Sequence, residues 1–153
     1  MNKDARQAYE LATKFSSESN QGESRAELRQ IVESSPNPAE LWERLGIQAN
    51  AAADYALAVY ALEHASIYKP LTPPGQLALA RGYVDANHRE AAKAILSYLA
   101  SLPDLEVGLL EPLASCLGQC GQYEAALNIC RQASERMPEN PDPLIGVAHY
   151  MRR

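Results

Sequence analysis

Apolar residues recur along this chain at helical spacing, and small residues return among them at a longer interval. Segments beginning at Ala5, Ala39, Pro73, Val107 and Pro141 start 34 residues apart, without insertion or deletion. The seventh place of each holds Leu11, Leu45, Leu79, Leu113 and Val147, and the eighth holds Ala12, Gly46, Ala80, Ala114 and Ala148. The eleventh holds Phe15, Ala49, Tyr83, Leu117 and Met151. In the four complete segments the twentieth place holds Ser24, Ala58, Ala92 and Ala126. The twenty-fourth holds Leu28, Leu62, Leu96 and Cys130, and the twenty-seventh Ile31, Ala65, Leu99 and Ala133. Places seven and eleven lie one helical turn apart and share a face. Places twenty, twenty-four and twenty-seven mark one face of a second helix in the same way. Small residues at places eight and twenty let the two helices approach, where large ones would overpack at about 1–3 kcal/mol each. Each segment is therefore expected to be two antiparallel helices joined by a tight turn, in an all-α chain.

Turn chemistry falls where this pattern needs it. Turns are expected near residues 20–22, 53–54, 87–88 and 121–122, where Gly22, Asn87 and Gly121 suit the left-handed conformation that ends a helix. Ala53 suits it poorly, so that turn is expected either to differ or to carry strain. Between segments, Asn37, Thr72 and Asn140 precede Pro38, Pro73 and Pro141, each an N-cap ahead of a proline at the first helical position. Glu40 stands three residues after Asn37, close to a capping box. Pro112 falls where the first helix of the fourth segment should be under way. That helix is expected to start late, near Leu110, or to kink.

Composition narrows the function classes. Hydrophobic residues make up 46% and charged residues 22%, as in ordinary soluble proteins, while aromatics are only 7%. The net charge of -5 disfavours a phosphate-backbone binder, so no nucleic-acid partner is expected. No apolar run approaches the ~20 residues that cross a bilayer, so no membrane insertion is expected. The N-terminus has no apolar segment of the kind a signal peptide carries, and three cysteines without framework spacing suit a reducing compartment. Together these give a cytoplasmic expectation.

The segments resemble tetratricopeptide repeats, whose pattern is W-x2-L-G-x2-Y followed by Ala, an aromatic or Leu, Ala and Pro. The second is nearest, with Trp42, Leu45, Gly46, Tyr55, Ala58, Leu62, Ala65 and Pro70. The fourth keeps Leu113, Ala114, Gly121, Tyr123, Ala126, Ala133 and Pro138. The first departs most, with Ala8 in the Trp place and Ser24 in an Ala place. The resemblance covers essentially the whole chain as one domain, 1–153, with repeats at about 5–38, 39–72, 73–106 and 107–140 and a partial repeat or capping helix at 141–153. It implies a right-handed superhelix, an α-solenoid, whose first helices line a concave groove for a peptide or helix of a partner protein.

The groove places hold Tyr9 and Thr13 in the first segment, and Glu43, Ile47 and Asn50 in the second. The third supplies Arg81 and Asp85, the fourth Gln119 and the fifth His149. Asn50, Arg81 and Asp85 are the leading candidates, since they are central and polar, and an Asn both donates to and accepts from a peptide backbone. Some tetratricopeptide co-chaperones clamp a C-terminal carboxylate with Lys, Asn and Arg. The corresponding places here hold Tyr9, Thr13, Pro74 or Gly108, and Ala78 or Pro112, which argues against that specialisation.

Candidate chemistry is sparse. Cys116 and Cys120 are four apart on one helix, but a metal needs convergent further ligands, and His149 is the only plausible one. Cys130 falls at a core place and is expected to pack as a small hydrophobe. His64 and His88 have no nucleophile or metal motif around them, and His88 is expected to cap or decorate its turn. Glu40 with Glu43, and Asp104 with Glu106, stand at helix starts, where the helix dipole favours negative charge. Tyr55 takes the family's aromatic turn place, and Tyr60 and Tyr68 are expected to pack between hairpins or at an edge. No catalytic residue, cofactor or metal is expected, and the chain reads as a non-catalytic interaction scaffold. The apolar face of Leu144, Val147, Ala148 and Met151 leaves two further readings. One is an accessory domain of a larger enzyme such as a transferase. The other is a homodimer through the C-terminal helix.

Overall fold

The computed structural model describes residues 3, 6–8, 10 and 21–139, apart from the side chains of 21–25. Helices are the only regular structure among the described residues from 21 onward. They are α1 (Gln21–Glu33), α2 (Pro38–Ala51), α3 (Tyr55–Tyr68), α4 (Pro73–Asp85), α5 (Arg89–Ser101), α6 (Val107–Gln119) and α7 (Tyr123–Arg136). The chain divides into two compact units, Met1–Gly82 and Tyr83–Arg153, the boundary falling within α4.

The same turn closes α2, α4 and α6. After α2, the Ala53 N–H bonds the Asn50 carbonyl and the Asp54 N–H bonds the Ala49 carbonyl. After α4, Asn87 bonds Val84 and His88 bonds Tyr83. After α6, Gly121 bonds Gly118 and Gln122 bonds Leu117. Each set is the Schellman arrangement, and each has one left-handed residue: Ala53 at φ 60°, Asn87 at φ 62° and Gly121 at φ 77°. Asp54, His88 and Gln122 then serve at once as the third residue past one helix and the N-cap of the next. Asp54 caps with its side chain, accepting from the Leu57 N–H at 3.2 Å. His88 and Gln122 make no such bond, and the His88 ring instead lies beside Tyr83 with centroids 6.2 Å apart. These bonds recur at the 34-residue interval of the sequence.

In the first unit, α2 and α3 run antiparallel. Trp42, early in α2, packs against His64, late in α3, with ring centroids 5.0 Å apart. At mid-helix a Cβ on Gly46 would overlap the Leu62 side chain, so only glycine permits this approach. Trp42, Leu45, Ala61 and Ala65 form a core with Leu28 and Val32 of α1 and with Ala8. The start of α4 lies beside α2, and its later part meets α3. A Cβ on Gly75 would overlap the Glu43 carboxylate, and one on Gly82 would overlap Val59.

In the second unit, α6 packs against α7, and α5 packs against both. Gln122 Nε2 donates to Ser97 Oγ of α5 at 3.2 Å, and Arg136 Nη1 donates to the Leu105 carbonyl at 2.6 Å. Leu96, Leu99, Leu110, Leu113, Leu117, Ala126 and Ala133 are buried. Among the described residues most of the expected core places are thus inside, Ala58, Leu62, Ala92 and Cys130 included, while Leu11, Ala12, Phe15, Val147, Ala148, Met151 and the Ser24 side chain lie outside the described residues. Tyr83 and Ile31 are only half-buried.

Three local expectations need correction. Gly22 belongs to α1, which begins at Gln21, rather than to a turn; Asn20 lies outside the described residues. The reciprocal half of the Asn37 capping box goes to the wrong group. Glu40 accepts from the Asn37 side-chain amide at 2.8 Å, while its own N–H reaches Asn37 Oδ1 at 3.5 Å. Finally, α6 does not start late. It begins at Val107 and runs through Pro112. A proline there removes one intrahelical bond, to the Gly108 carbonyl. Buried Leu110 and Leu113 on either side hold that turn against the core.

Candidate partner-binding face

Residues spaced three and four apart along α2 bring Glu43, Ile47 and Asn50 to one side of that helix. Their states differ. Glu43 is 5% exposed, and its Oε1 accepts from the Thr72 N–H at 2.7 Å and the Thr72 hydroxyl at 2.5 Å. The hydroxyl in turn accepts from the Gly75 N–H at 3.4 Å, the N-cap contact expected of Thr72. Glu43 is therefore committed to joining α2 to the start of α4, and its carboxylate is not displayed. Ile47 and Asn50 are half-buried. Asn50 Oδ1 is shielded and has no hydrogen-bond partner among the described residues.

Arg81 is exposed on α4, with its guanidinium carbon 5.8 Å from the centroid of the Tyr55 ring. That distance is within cation–π range, so the ring steers the arginine without neutralising it. Tyr55 was not among the expected groove residues. A turn-place tyrosine followed by an arginine in the next segment was the available signal.

The second unit holds the remaining described candidates. Asp85 is exposed in the last turn of α4. Gln119 is exposed on α6, its amide donating to Ser115 Oγ at 3.5 Å. Tyr9, Thr13 and His149 lie outside the described residues.

The other chemistry-bearing side chains are occupied structurally. Cys116, Cys120 and Cys130 are buried and form no disulfide with one another, and Cys130 packs in the core as expected. Burial pushes the Cys120 and Cys130 thiols above their ordinary pKa, which favours the unreactive neutral form. No group of three His, Cys, Asp or Glu side chains comes together to hold a metal among the described residues. His64 Nδ1 donates to the Tyr60 carbonyl at 2.8 Å, and its ring stacks in a cluster with Trp42 and Tyr60. Tyr60 thus packs inside the hairpin, whereas Tyr68 is 48% exposed. No described helix is long and apolar enough to cross a membrane.

No family model, curated protein or solved structure matches this chain.

Proposed function

We propose that this chain is a tetratricopeptide-type interaction module. In this reading its hairpins stack as a right-handed α-solenoid, and the first helices of the hairpins hold an extended or helical segment of another protein. The observation that carries the reading is the turn that recurs after α2, α4 and α6 with the same hydrogen bonds and a left-handed residue at the same place. Identical closures at a fixed interval suit hairpins built to stack on their neighbours. Ile47 supplies apolar surface, Asn50 a peptide-like donor and acceptor, and Arg81 a charge held in place by Tyr55. In the second unit Asp85 and Gln119 supply polar groups of the same kind.

Site-specific photocrosslinking tests this. A crosslinker at Ile47 or Gln119 should join a discrete partner when the protein is incubated with lysate from its source. The same probe at Tyr98, an exposed residue on a second helix, should not. Equal yields of the same adduct at all three positions would overturn the reading.

A further inference from the structure

We draw no further inference here: the strongest candidate, the exposed apolar patch of Ile67 and Tyr68 at the C-terminal end of α3, is an unpartnered surface, and nothing in the structure shows what covers it.

Discussion

Among the described residues, Ala53 is the one least suited to its backbone. At φ 60° its Cβ crowds the following carbonyl, a strain of about 1–2 kcal/mol that glycine avoids. Ala53→Gly should therefore stabilise the chain by about 1 kcal/mol after the entropy glycine costs, raising the melting temperature by about 2–4 °C. A thermal melt followed by circular dichroism reads this directly, and a lowered midpoint would contradict the strain. Glu43 makes the opposite case. Glu43→Ala strands the Thr72 N–H and hydroxyl, and should cost about 2–3 kcal/mol by urea titration. Glu43→Gln keeps an acceptor oxygen and should lose less. The strain at Ala53 was legible in the sequence, because a turn was due there and alanine is a poor left-handed residue. The burial of Glu43 was not legible. Periodicity placed it on a displayed face, whereas Thr72 and the missing Cβ of Gly75 draw it inward. A glycine directly after two prolines, inside the first turn of a helix, was the only local hint.

At the scale of the element, the sequence pattern located the helices well because small and large residues alternate at helical spacing on both sides of each turn. Of the two readings of α6, a late start or a kink, the structure excludes the late start, which weighed proline by local geometry alone. Pro112 forfeits one backbone bond, yet buried neighbours in the same turn outweigh that loss. Pro112→Ala restores the N–H facing the Gly108 carbonyl and should stabilise by about 1–3 kcal/mol, with the helix content unchanged or slightly raised. The α6–α7 hairpin also carries the buried thiols. Since burial raises the folded pKa of Cys120 and Cys130, the folded chain holds their protons longer than the unfolded chain does. Their contribution to stability is full below the ordinary thiol pKa of 9.0 and is lost as pH rises beyond it. Urea titrations should show stability falling above that pH, and replacing both residues with Ala should flatten this part of the profile. Alkylation of the native protein near neutral pH should likewise be much slower than of the unfolded chain.

For the molecule as a whole, the described residues of the proposed face fall in both compact units, Glu43, Ile47, Asn50 and Arg81 in the first and Asp85 and Gln119 in the second. What the pattern foresaw of the proposed face divides by side-chain length and company. Ile47 and Asn50 are half-buried and Arg81, Asp85 and Gln119 are exposed, whereas Glu43 is buried. The steering of Arg81 by Tyr55 depends on packing between helices, which a period along the chain does not encode. Binding of a protein partner by the first helices is the proposal on which the rest depends. It is tested most directly by capture from source lysate with tagged parent protein beside an Asn50→Ala, Arg81→Glu double variant, read by mass spectrometry. Both forms must first show equal helicity and the same size in solution. The expected result is a partner retained by the parent and reduced at least about tenfold with the variant. The same protein captured equally by both forms, or no specific capture by the folded parent, would contradict it.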